Sequence, residues 1–275
     1  MNPSFWSRFV AGLGALASLL ALAGSFVALA WLAVRLERTP EVWLNPWAGS
    51  AGGTPLVVVD AGHGGHDGGA VANGLVEKDV ALDLAKALRH QLELRGIRLK
   101  MLRQKDVFLP LEERSSGTNE AEAAAFVSLH LNTSVAAPEV AGIETYFTRR
   151  KSLAARRPAA DAHFLQDDRG EWLARSIQQN ACRMGKAENR GVKEKSYAVV
   201  THTVCPAVLV ECGFLTNAAE AARLKQQDYR DHLTAGIAQG VAEFLKTQAV
   251  NSQRGIQPMP STLAPTAVAA AVEEP

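Results

Sequence analysis

The chain has 275 residues, enough for one large domain with appendages. Its 29 basic and 28 acidic residues nearly cancel, which removes the electrostatic case for a nucleic-acid partner. Cys182, Cys205 and Cys212 are odd in number and lack C-x-x-C spacing, so no disulfide framework organises the fold, although one bridge stays open.

After a short flank over residues 1–8, the stretch from Phe9 to Val34 contains no charged residue. These 26 residues exceed the roughly 20 that span a bilayer and the roughly 7–15 of a signal-peptide core. Trp6 and Trp31 stand near the two ends, where interfacial aromatics belong. The pattern predicts an uncleaved transmembrane helix over 9–34, with signal-peptide cleavage after Ala30 as the alternative. Arg8 on one side and Arg35 and Arg38 on the other nearly balance, so the positive-inside rule assigns no orientation. Residues 35–54, rich in Pro, Gly and Ser, read as a linker.

A folded domain is expected over 55–249. Strands are predicted at Leu56–Asp60, Ile97–Leu102, Ala125–Leu131, Gly142–Thr148, Tyr197–Val200 and Ala207–Glu211. Helices are predicted at Glu77–Arg95, Leu109–Ala124, Glu171–Met184 and Asp231–Thr247, the last with an apolar stripe at Leu233, Ile237, Val241 and Phe244. Strands interleaved with helices give an α/β fold, a single domain with a mostly parallel twisted sheet flanked by helices and preceded by the transmembrane helix. Residues 250–275 hold too little bulky apolar surface to offset the entropy of ordering, and are expected to be a disordered tail.

The chemistry gathers at strand ends. The buried run Leu56–Val59 turns into a segment, Gly62–Gly69, in which five of eight residues are glycine and which holds His63, His66 and Asp67. Neither phosphate-loop pattern is present, so the stretch reads as a metal-binding turn at the C-terminal edge of a sheet. Glu77 shares a helix face with Ala81, Leu84 and Leu88, and a carboxylate on a buried stripe needs a partner, most economically a cation. Ser128, His130 and Asn132 point to one face at the end of their strand. Two histidines and a carboxylate with an open fourth position form a catalytic zinc set. Glu211 ends a wholly apolar strand and is followed at Gly213 by glycine; it reads as a general acid/base, since a fourth protein ligand would close the site.

These stretches together resemble the zinc-dependent N-acetylmuramoyl-L-alanine amidases of the amidase 3 type. The matching pieces are DAGHGGHDGGA, VEKDVALDLAKAL, the run from Leu111 to Asn119, SLHLN, GIETYF and PAVLVECGFLTN, in that order across most of 55–247. The resemblance implies a mixed sheet, Zn2+ on His63, Glu77 and His130, and catalysis by Glu211. It also implies a peptidoglycan substrate, cut between the lactyl group of N-acetylmuramic acid and L-alanine. That polymer lies outside the cytoplasmic membrane, which would put the catalytic domain on the outer side, held by the N-terminal helix. A zinc peptidase acting on stem peptides and a catalytically silent wall-binding protein are the alternatives. Asp67 is expected to orient a ligand histidine, Arg114 and Asn119 to brace the loop before the His130 strand, and Glu144 to reach the stem peptide. His90, His163, His202 and His232 lack partner spacing. Some members of the family carry a long regulatory insertion that plugs the zinc until a partner protein removes it. Here Arg149–Gly170 has only 22 residues, basic first and then acidic at Asp161, Asp167 and Asp168, which predicts no stable plug.

Overall fold

The β-branched run after Pro55 forms β1 (Leu56–Ala61), and the other apolar runs pair around it. The computed structural model describes residues 53–151, 166–167 and 169–253. The expected membrane span, nearly all of the linker, the chain beyond 253 and most of Arg149–Gly170 with His163 lie outside the described residues. Among the described residues no helix is long and apolar enough to cross a membrane.

The remaining elements follow in order: β2 (Val71–Ala72), β3 (Leu75–Val76), α1 (Glu77–Glu93), β4 (Arg98–Met101), α2 (Leu111–Asn119), β5 (Ala125–Asn132) and β6 (Ile143–Phe147). Then come β7 (Arg150–Lys151), β8 (Gln166–Asp167), α3 (Arg169–Gly185), β9 (Asn189–Glu194), α4 (Ala198–Thr201), β10 (Ala207–Phe214), α5 (Ala218–Leu224) and α6 (Gln227–Gln253). The main sheet has the order β4-β1-β5-β10-β6-β9. Its first four strands are parallel, β6 runs antiparallel to β10, and β9 runs parallel to β6. The expected mostly parallel sheet is therefore present, with a reversed pair at one edge.

Side-chain alternation sorts each strand into two environments. Val57, Val59, Val127, Leu129, Val208 and Val210 enter a large core with the stripes of α1, α3 and α6, including Leu84, Leu88, Ile177, Ile237 and Phe244. The other face, from Val58, Phe126, Tyr146 and Leu209, packs on a smaller cluster around Tyr197, Val199 and Val200, with Leu111 of α2 at its margin. Among the described residues α1, α3 and α6 cover one face, with Leu224 of α5 joining the same core, and the short α2 and α4 cover the other. The polar strand ends open on the thinly covered face.

Three expectations change. Tyr197–Val200 is the start of a helical turn rather than a strand, because a four-residue apolar run carries no usable period and α4 buries Ala198, Val199 and Val200 together. β9, with the sequence NRGVKE, is a polar edge strand that periodicity did not reveal. Cys182, Cys205 and Cys212 are buried and none is in a disulfide among the described residues, so the bridge left open by their number does not form there.

Candidate metal centre

The turn after β1 is held in an unfavourable conformation by its surroundings. His63 has φ 57°, in the left-handed region that a side chain disfavours. Two buried arginines hold the carbonyls around it. Arg103 donates from Nε to Ala61 O at 2.8 Å and from Nη2 to Gly62 O at 2.7 Å. Arg114 donates from Nη1 to Ala61 O at 2.9 Å and from Nη2 to His63 O at 2.8 Å, and its Nη1 pairs with Asp60 Oδ1 at 2.6 Å. Asp60 is fixed in turn by Ser128 Oγ–H at 2.8 Å.

Glycine is needed at two positions here. A Cβ on Gly62 would lie 2.3 Å from Cε1 of His130, and one on Gly69 would lie 2.6 Å from both Glu77 Oε2 and His63 Cδ2. The same turn starts α1. Val76 offers no side-chain cap, and the first amides of the helix bond the turn instead, Glu77 N to Ala70 O at 2.8 Å and Lys78 N to Gly68 O at 3.1 Å. The carboxylate of Glu77 is thereby placed beside the two histidines.

His63, Glu77 and His130 each offer a ligand atom, and these atoms lie within 4.8 Å of one another. Glu77 Oε1 is 3.1 Å from His63 Nε2 and 3.0 Å from His130 Nδ1. Tetrahedral zinc with bonds near 2.0–2.1 Å spaces its ligand atoms by about 3.3 Å. His63 Nε2 is buried and not aligned to hydrogen-bond Glu77, so the two atoms are neighbours aimed at a common point. The other nitrogen of His63, Nδ1, lies 2.7 Å from Asp67 Oδ2, which as its acceptor fixes the tautomer that leaves the Nε2 lone pair free. Glu77 is oriented by two backbone amides, Ala70 N–H on Oε2 at 2.8 Å and Leu131 N–H on Oε1 at 3.0 Å.

The electrostatics match a cation. Burial works against ionisation of Glu77, yet its hydrogen bond with His130 and the nearness of His63 hold it well below the usual carboxylate range. Burial likewise works against the His63 cation, but the carboxylates of Glu77 and Asp67 lift its pKa above the ordinary value. The donor set and its charge fit zinc.

Glu211 sits beside His130 in the β5–β10 pairing and faces the same side. It is buried, and its Oε2 makes no hydrogen bond among the described residues. Burial, reinforced by repulsion from Glu77 and Glu144, pushes its pKa well above the ordinary carboxylate value. A pocket beside His63 and His130 is walled by Phe108, Leu111, Tyr197 and Val199.

The pieces expected at the sheet edge thus come together, with Asp67 orienting His63. Other expected roles shift. Arg114 braces the His63 turn, and Asn119 braces the loop before β10 through His202 O at 3.0 Å and Val204 N at 2.7 Å. Glu144 is buried and already bonded to Tyr146 Oη and Arg190 Nε, so it does not reach out to a ligand. His66 is exposed against Phe108, while His90 and His232 are exposed away from the three ligand atoms. Arg103 gave no signal in the sequence, because its partners are backbone carbonyls contributed by the fold.

A family model described as N-acetylmuramoyl-L-alanine amidase matches residues 57–243. The amidase AmiA of Escherichia coli is 30% identical over 258 residues, covering 83% of this chain and 89% of its own. The amidase LytC of Bacillus subtilis is 33% identical over 190 residues, covering 69% of this chain but 35% of its own. A crystal structure of an N-acetylmuramoyl-L-alanine amidase from Clostridium difficile superposes with a TM-score of 0.62 at 31% identity, over 71% of this chain and 98% of that one.

Proposed function

The chain belongs to the N-acetylmuramoyl-L-alanine amidase family, and on that premise we propose that His63, Glu77 and His130 hold zinc and that Glu211 is its catalytic acid/base. The activity is hydrolysis of the amide between the lactyl group of N-acetylmuramic acid and L-alanine of the stem peptide in peptidoglycan. The observation that carries the assignment of roles is the convergence of three ligand atoms within 4.8 Å beside a buried carboxyl whose Oε2 has no hydrogen bond among the described residues.

Zinc held there supplies Lewis-acid polarisation of the amide carbonyl, an acidified water, and a positive charge beside Glu211. The protein does the rest by position. Asp67 keeps the His63 tautomer, and the amides of Ala70 and Leu131 keep the Glu77 carboxylate turned toward both histidines. Glu211, desolvated and with no competing bond on Oε2 among the described residues, takes a proton from the attacking water and returns it to the departing L-alanine nitrogen. The nitrogen leaves as an amine, and the lactyl group becomes a carboxylate.

Glu211→Gln should retain zinc and fold while losing about 100- to 10,000-fold in turnover. Mass spectrometry of digested sacculi reads the bond cut: sugar chains stripped of intact peptides mean amidase, and fragments of the stem mean peptidase. Loss of zinc from Glu211→Gln would make Glu211 a ligand and overturn the roles.

The uncharged run from Phe9 to Val34 and a substrate outside the cytoplasmic membrane support a tethered enzyme with its catalytic domain on the outer side. The full chain should then sediment with membranes, resist a high-salt wash and be released by detergent. A soluble product beginning near residue 31 would point to signal-peptide cleavage instead.

A further inference from the structure

Beside Glu211 lies a charged group that the reaction above does not use. Glu144 stands directly across from Glu211 in the β10–β6 pairing. Its Oε1 is 2.6 Å from Arg190 Nε and 2.7 Å from Lys193 Nζ, while Tyr146 Oη–H bonds its Oε2. Both cations belong to the edge strand β9, and their side chains are 29% and 41% exposed. Two cations share one buried carboxylate, and the further carboxylate paired with Arg190, Glu188, is exposed and reaches it only at 4.0 Å.

Arg190 is held for a further partner. Its Nε is committed to Glu144, and its Cζ rests 5.1 Å from the centre of the Phe214 ring. Its terminal nitrogens make no hydrogen bond among the described residues, and Glu188 Oε1 approaches Nη1 only to 4.0 Å. Gly142 lets the strands close around it, since a Cβ there would lie 3.0 Å from Arg190 Cγ and 2.6 Å from Glu188 O. A guanidinium fixed through Nε with its terminal nitrogens uncommitted is a preorganised fork for a carboxylate.

We propose that Arg190, supported by Lys193, clamps a carboxylate of the stem peptide, so that the peptide lies on the β6–β9 side of Glu211. The inference rests on the amidase reading, because a stem peptide carries carboxylates beyond its L-alanine. β9 is two strands from β10, about 10 Å at the usual spacing, which about three extended residues cover. The clamped group therefore belongs to the first three residues of the stem.

The test uses zinc-loaded wild type, Arg190→Gln and Arg190→Lys. Calorimetry measures binding of a synthetic three-residue stem peptide beginning with L-alanine, its carboxylates either free or amidated. Kinetics follow cleavage of muramyl peptides bearing the same two stems. Wild type should prefer the free acid by about tenfold or more, in Kd and in KM rather than kcat. Arg190→Gln should bind both stems alike with zinc content and Tm unchanged, since Lys193 and Tyr146 still pair Glu144. Arg190→Lys should recover part of the preference. Discrimination that survives in Arg190→Gln, or that is missing from wild type, overturns the clamp. If Arg190→Gln does not fold, Lys193→Gln decides: reduced discrimination supports the clamp, and unchanged discrimination overturns it. Cleavage without discrimination removes the clamp and leaves the amidase reading intact. Discriminating binding without release of peptide from sugar removes the amidase reading and leaves the clamp.

Discussion

His63 at φ 57° adopts a conformation that costs an L-residue about 1–2 kcal/mol, and Arg103 and Arg114 offset it by gripping the carbonyls of Ala61, Gly62 and His63. The strain turns Nε2 toward Glu77. Gly62 serves the same end by leaving room for the His130 ring. Gly62→Ala would place a Cβ 2.3 Å from that ring, so the variant should lose zinc from stoichiometric to near zero by metal analysis. Gly68→Ala is the control, because its Cβ would meet nothing closer than Val76 Cγ1 at 3.6 Å, and it should keep its metal. Zinc retained in Gly62→Ala would mean that the His130 ring can swing aside and still bind.

At the scale of elements, the end of β10 is tied down by α5. The strand pairing slips between Glu211 and Phe214, where Gly213 has φ 141°. Glu220 of α5 accepts from Phe214 N at 2.7 Å and from Gly142 N at 2.9 Å, joining β10 to the start of β6. α5 itself begins at Asn217, whose Oδ1 accepts from Ala219 N and Glu220 N at 3.0 Å each. Asn217→Ala should therefore cost about 1 kcal/mol, read as a lower urea midpoint at unchanged slope. A change within about 0.3 kcal/mol would mean that packing of α5, and not its cap, holds it in place.

At the scale of the whole molecule, the site joins the C-terminal ends of β1, β5 and β10 to the N-terminal end of α1, so metal binding should stabilise the domain globally. Zinc at 100 times its Kd adds about 2.7 kcal/mol, which for a domain of this size raises Tm by about 5–10 °C. Chelation should lower Tm by that amount and zinc should restore it. If Tm does not move, the metal site opens locally without weakening the rest of the fold.

The strands and helices that carry a clear period, and the strand ends at which His63, His130 and Glu211 stand, follow from the order of residues alone. Alternation in β5 and β10 was enough to put His130 and Glu211 on one side, and the α1 stripe was enough to bury Glu77. These are local consequences of backbone geometry, which is why they were legible. Contacts across space came from packing. NRGVKE has no apolar alternation, so β9 exists because β6 offers it an edge. The apolar run around Tyr197 became helical because α4 packs three consecutive residues onto one face of the sheet. Arg103, Arg114 and Glu144 acquire their partners from segments far away in the chain, and a side chain's own letter says nothing about which carbonyl or cation folding will bring to it.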